Sequence, residues 1–327
     1  MALTLDELNS ITLDYWEKTS TDIYFLDNVL LWKLLGNGNL ENELVKAHET
    51  VDGGLKIRVP LEYAESNSGS YGNTTKISQG KVDIYNAARF RWAGYYASNT
   101  IDLKDKIQNA GDAAMIKLAN GKIRNIQKTI RKKMGTDIYA QSTGGDAVSE
   151  YAFLGLGNLF LATVGTPYGS IEEEDMADWK ANNITTAEAI NFKNLQKCRR
   201  TPNIGQNDKD KPNLYITTDL LKDGFERTLH IQARYKDVDM ADAGFENVLF
   251  KGQPVVADDR QTAGYCDCLN TRYLRLRAHS MYNFTPPVWK ANNDQPDVWT
   301  ADQRFMGQLT TNHRKAHVRH TNFSEPA

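Results

Sequence analysis

The chain has 327 residues, 40% hydrophobic and 24% charged, with a formal net charge of −2. That length serves one large or two modest domains, each able to bury a core, and the composition excludes a disordered chain. The near-zero charge argues against a dedicated nucleic-acid binder, while leaving room for a basic face on one side.

No window approaches the roughly 20 apolar residues of a membrane span. Residues 1–20 carry four acidic side chains and no continuous apolar run, so no export signal is expected. The cysteines are three, Cys198, Cys266 and Cys268. An odd number, two of them separated by one residue, fits a reducing compartment better than a disulfide framework. The expectation is a protein made in the cytoplasm, with no membrane partner.

In chain order, Thr4 followed by Glu7 has capping-box spacing and predicts a short amphipathic helix to Lys18. Ile23 to Leu35 is unusually apolar, with Tyr24, Phe25, Leu30 and Trp32 among its residues. It must be buried, either in its own domain or against a neighbour. After the Asp52-Gly53-Gly54 turn signal, Leu55, Ile57, Val59, Leu61 and Tyr63 occupy every second position. That alternation predicts a strand from Leu55 to Ala64 with one apolar face, and Pro60 places it at an edge. A Gly/Ser/Asn-rich tip, 66–80, contains Tyr71 and Lys76. A second strand, Val82 to Thr100, leads without a break into a basic helix from Leu103 to Met134, about 45 Å long at 1.5 Å per residue.

That helix is expected to turn Ile107, Met115, Ile123, Ile126, Ile130 and Met134 inward and to end at Gly135. Its other face carries Lys117, Lys122, Arg124, Lys128, Arg131, Lys132 and Lys133. Such a face is either solvated surface or a sequence-independent phosphate contact. A Gly-rich apolar stretch follows over 143–164, then an acidic loop containing Glu172-Glu173-Glu174-Asp175, then a helix from Thr185 to Cys198. Polar residues 201–212 mark a lobe boundary. Beyond it come strands at 213–217, 245–250, 254–258 and 273–279, a helix from Thr218 to about Ala233, a Pro- and Trp-containing loop over 281–300, and a last strand from Phe305 to Val318.

No catalytic signature emerges. His313, His317 and His320 lie within eight residues, but Arg314, Lys315 and Arg319 surround them and no carboxylate does. A solvated basic tail, or one touching an anionic partner, is the better reading than zinc. The cysteine pair lacks a second such pair and reads as small buried apolar residues. Gly155-Leu156-Gly157-Asn158 lacks the remainder of a phosphate loop. The expectation is no catalytic residue, no metal ligand and no cofactor.

Several segments, in order, resemble the major capsid proteins of tailed bacteriophages, the lambdoid chainmail-capsid fold. They are residues 22–31, residues 53–61, Leu214 to Leu220, and above all 243–258 with its Phe250-Lys251-Gly252-Gln253-Pro254-Val255-Val256, followed by Cys268-Leu269-Asn270-Thr271-Arg272-Tyr273-Leu274. The resemblance implies an α+β fold with an N-terminal arm (1–50), an extended hairpin loop (51–98), a peripheral domain with a long spine helix (99–200), an axial domain (201–280) and a return to the peripheral domain (281–327). It implies pentamers and hexamers in an icosahedral virion shell around double-stranded DNA, with a portal and possible decoration proteins as further partners. Because the chain reaches the arm directly from Met1, a separate scaffolding protein is expected. No covalent cross-link is expected through Lys76 or Lys81.

On that reading, arm and loop residues Tyr24, Phe25, Leu30, Trp32, Leu55, Ile57, Val59, Tyr63, Tyr71 and Lys76 contact other copies. Lys122, Arg124, Lys128, Arg131 and Lys132 form an inner basic face. The alternatives are an encapsulin-type shell of the same fold, or a metal-dependent enzyme using the C-terminal histidines.

Overall fold

A computed structural model describes residues 28–35, 48–73, 76, 80–108, 112–141, 151–161, 167–205, 207–229, 247–292, 295 and 297–326. The expected N-terminal helix and most of the arm lie outside them. Among the described residues no helix is long and apolar enough to cross a membrane.

Two sheets organise the chain. The first has five strands: His48–Val51, Leu274–His279, Trp299–Thr311 and Val288–Ala291 in order, with Ala93–Ile101 on the other side of Trp299–Thr311. The 13-residue strand Trp299–Thr311 is the spine of this sheet, because its length lets three other strands pair with it. Gly307 sits in it because a Cβ there would lie 2.7 Å from the Arg277 carbonyl.

The long helix Asp112–Asp137 buries Met115, Ala119, Ile123, Ile126, Ile130 and Met134 at helical spacing, in one apolar cluster with Ala97, Ile101 and Phe305 of this sheet. It runs through Gly121 and passes Gly135 to end at Asp137, two residues beyond the expected stop. Gly135 is buried rather than terminal: Asn28 Nδ2 donates to its carbonyl, and the Arg260 guanidinium lies 3.4 Å from where a Cβ would stand. The preceding helical stretch, Leu103–Gln108, buries none of its residues. Ile107, expected inside, is exposed.

The second sheet has six strands, in the order Asn182–Ile184, Val318–His320, Cys266–Leu269, Leu214–Thr217, Gln253–Ala257 and Asn247–Phe250. Helices Phe192–Arg200 and Asp219–Thr228 bury Leu195, Leu221 and Phe225 with Tyr215, Phe250 and Val318 in a second apolar cluster. The first of these helices starts at Phe192 rather than near Thr185, because Asn191 caps it by accepting from the Asn194 N–H. The expected last strand is in fact two. Trp299–Thr311 belongs to the five-stranded sheet, whereas Val318–His320 crosses over to pair with Cys266–Leu269. Residues 281–327, expected to return to one unit, thus contribute strands to both sheets.

The hairpin pairs Ile57–Glu62 with Tyr85–Phe90 only. The single long strand expected over 82–100 breaks at Arg91 and Trp92, and its second half joins the five-stranded sheet. Tyr63 N–H donates to the Ile84 carbonyl at 3.0 Å, so residues 57, 59 and 61 make the ladder bonds and 58, 60 and 62 face the free edge. That edge is blunted, since Pro60 has no N–H and the Arg58 carbonyl is taken by Arg277 Nη1 at 3.1 Å.

Candidate assembly surfaces

The apolar strip of the hairpin is closed within its own chain. Ile57, Val59 and Leu61 are 1%, 3% and 8% exposed, in one cluster with Ala88, Phe90, Tyr168 and Trp179. A tight turn makes this possible. Gly169 and Ser170 both adopt left-handed backbone, Tyr168 and Ile171 exchange two hydrogen bonds, and the Gly169 carbonyl accepts from the Arg89 N–H at 2.7 Å. Tyr168 then meets Phe90 edge-on at 5.3 Å. Leu30 is likewise fully buried, on helix Val29–Leu35, whose first turn is capped by Asn28 Oδ1 accepting from the Leu31 N–H at 2.7 Å. The expectation that Leu30, Ile57 and Val59 await another copy is thus overturned. Their apolar area is removed from water before any association.

Other residues of that group are available. Leu55 is 93% exposed and Tyr71 78%, while Tyr63 is partly exposed and Lys76 is exposed. Sequence reasoning missed Tyr85, opposite Glu62 and 75% exposed, and Tyr96, 78% exposed. The alternation contained that signal, because both lie on the wet face of their strands. Tyr24 and Phe25 lie outside the described residues, and Trp32 is placed only as a position on helix Val29–Leu35.

The basic helix face is narrower than its composition indicates. Arg131 is buried, because it follows Ile130 into the sheet-facing side. Lys122 bends back to the Asp105 carboxylate and the Thr100 carbonyl, both at 2.6 Å. That ion pair lowers the Asp105 carboxyl below its ordinary range. Lys117, Arg124, Lys128 and Lys132 stay exposed on one stripe, and Lys133 pairs with Asp137 at 2.9 Å.

The C-terminal basic segment is interior, which corrects the solvated-tail expectation. Arg314 is 1% exposed and donates to the carbonyls of Leu159, Trp179 and Leu161, with Glu173 at 2.9 Å. Glu173 therefore leaves the solvated acidic run. Arg319 forms a two-point pair with buried Asp267, at 2.6 and 2.8 Å. His317 accepts from the Asn270 N–H on Nδ1, leaving Nε2–H for Thr311 Oγ1 at 3.2 Å. Burial first, and His313 second, push its pKa down to about 3. His320 stacks on Phe323 at 3.6 Å. His317 and His320 thus hold separate structural posts, and no His/Cys/Asp/Glu group with metal-site geometry occurs among the described residues.

The three thiols are free and fully buried, with Cys266 and Cys268 Sγ 4.0 Å apart. Burial drives the Cys268 thiol well above its usual range. Gly155 and Gly157 permit backbone contact rather than phosphate binding. A Cβ on either would come within 2.7 Å of the chain at residues 137–141.

Tyr139 OH donates to the buried Asp258 carboxylate at 2.9 Å, tying the end of the long helix to the six-stranded sheet. This architecture combines a two-stranded hairpin, a long helix on a five-stranded sheet and a second sheet with its own core. It aligns with the cyanophage A-1(L) capsid subunit at a TM-score of 0.64, over 84% of this chain and 90% of that one, at 15% identity. The fold is that of phage major capsid proteins. The capsid of a native GTA particle aligns at TM-score 0.56, over 85% and 89% of the two chains, at 12% identity. The holo-SrpI encapsulin of Synechococcus elongatus aligns at 0.52, over 87% and 90%, at 10% identity. No protein-family model matches the sequence, and no curated protein does either. The capsid fold thus rests on three-dimensional agreement.

Proposed function

We propose that the chain is the structural subunit of a self-assembling icosahedral shell, built from pentamers and hexamers and enclosing double-stranded DNA in a virion. The observation that carries this reading is agreement with capsid subunits across nearly the whole length of both chains. The chain is read as building material rather than as a catalyst, in keeping with the capsid and encapsulin subunits whose fold it shares. The hairpin within residues 51–98 acts as the extended loop, the long helix within 99–200 is the spine helix, and the six-stranded sheet forms the axial part.

Exposed Leu55, Tyr63, Tyr71 and Tyr85 suit contact with neighbouring copies, because Tyr brings apolar area with a polar tip at low entropic cost. Tyr24, Phe25 and Trp32 of the arm, and Lys76 of the loop, belong to the same role. Lys117, Arg124, Lys128 and Lys132 face the packaged phosphates without reading sequence. A separate scaffolding protein, a portal and decoration proteins complete the partners, and synthesis takes place in the host cytoplasm.

Expression of the full chain followed by negative-stain microscopy tests the proposal. Uniform polyhedral particles are the expected result. A chain that stays monomeric at high concentration, with or without a scaffold, would overturn it. The encapsulin likeness supports a second reading, a shell that stores protein. Particles filled with protein and lacking nuclease-protected DNA would favour that reading.

A further inference from the structure

The outward face of the hairpin breaks a local rule. Arg58 and Arg89 are register partners, and the alternation set by Tyr63 and Ile84 makes theirs a non-hydrogen-bonded pair. In such pairs opposed side chains stand closest, with Cα atoms about 4.5 Å apart, and like charges are destabilising. Both arginines are exposed, as is Lys56 two residues before Arg58. No ion pair or side-chain hydrogen bond joins these three to a carboxylate among the described residues.

The patch is also short. Along the same face Pro60 and Ala87 come next, then Glu62 opposite Tyr85. A nucleic-acid track needs a longer run of cations, and Glu62 repels its continuation. The patch matches the size of two adjacent carboxylates. The same chain presents such a pair. Glu174 and Asp175 are exposed and carry no ion pair among the described residues, whereas their neighbour Glu173 is committed to Arg314.

We infer that the Arg58–Arg89 face of the hairpin is a docking surface for a second copy of this chain, receiving its Glu174 and Asp175 carboxylates. This deepens the shell reading and rests on it. Guanidinium forks take carboxylates at two points, so the contact fixes orientation as well as adding attraction. The unfavourable arginine pairing in the free subunit is relieved only on association, which makes assembly sensitive to salt.

Charge reversal tests the contact. Arg58→Glu with Arg89→Glu should lower the yield of particles about tenfold or more at low salt, since like-charge juxtaposition across an interface costs several kcal/mol. The melting temperature should not change. Glu174→Arg with Asp175→Arg should do the same, and all four changes together should restore assembly. In a mixed population of isotope-labelled and unlabelled chains, the Arg58→Lys variant treated with a carbodiimide should yield an inter-chain cross-link to the peptide containing Glu174 and Asp175.

Normal particle yield from the arginine-reversed chain would overturn this inference and leave the shell reading standing. Failure of the four-fold variant to recover, or a cross-link confined to single chains, would also overturn it. Loss of polyphosphate binding without loss of assembly would reassign the face to a nucleic acid and overturn it too. Absence of particles from the unaltered chain would remove both readings together.

Discussion

The hairpin and the C-terminal segment 312–320 invite comparison, because their sequences promise opposite fates. The hairpin carries an apolar strip that looks in need of a neighbour, and the C-terminal segment carries cations and histidines that look solvated. Both are closed inside the chain. Ile57, Val59 and Leu61 are covered by their own subunit, and Arg314, His317 and Arg319 are buried among carbonyls and carboxylates. The lesson is that burial follows the availability of partners rather than polarity. An apolar strip needs only a surface of the right shape, and a turn at Gly169–Ser170 supplies part of one. A buried guanidinium needs every donor answered in place.

The comparison sharpens if each region is broken in turn. The largest effect belongs to Asp267→Ala, which leaves the buried Arg319 without its counter-charge and should destabilise by about 3–5 kcal/mol in denaturant titration. A loss under about 1 kcal/mol would mean that water reaches the pair. Ile57→Ala should follow, at about 2–4 kcal/mol, because it opens a cavity in the chain's own core. If that variant melts normally and fails only in assembly, the strip is an interface after all.

Acidification comes next. The folded-state pKa of His317 lies near 3 while its unfolded value is about 6.5. The unfolded state therefore binds the extra proton between these values. The stability contributed by neutral His317 is fully present above pH 6.5 and is lost as pH falls toward 3, at up to about 1.4 kcal/mol per pH unit. His313 and His320 are shifted down by burial and act in the same direction. Asp258, shifted up by burial, acts in the opposite one. Melting temperature should drop from pH 7 to pH 5, and His317→Gln should flatten the slope. The smallest stability change should come from Tyr71→Ala or Tyr85→Ser, within about 0.5 kcal/mol as for exposed positions. Particle yield should nevertheless fall, and unaffected yield would take the hairpin tyrosines out of the interface.

Much of this was legible in the residues. Strict alternation over 55–63 predicts the first hairpin strand, and 3.6-residue spacing from Met115 to Met134 predicts the buried face of the long helix. The ordered motifs resembling capsid proteins point to the fold that the structural likeness then shows. The errors share a cause. Strand Cys266–Leu269 does not read as a buried strand because its Asp is neutralised by Arg319, 52 residues away. Arg131 and Lys122 read as part of an open face because helical spacing says nothing of a neighbouring helix or sheet. The break at 91–92 was invisible because each half of 82–100 alternates well on its own.

Sequence alone determined the periodicities, the turn signals and the apolar content of each element, since these depend on neighbours within a few residues. Only the tertiary structure decided which charges are answered, which apolar strip is already covered, and which face of the hairpin carries two opposed arginines. Those outcomes depend on groups brought together from distant parts of the chain, and the energy of a buried charge or a packed methyl depends on what finally surrounds it.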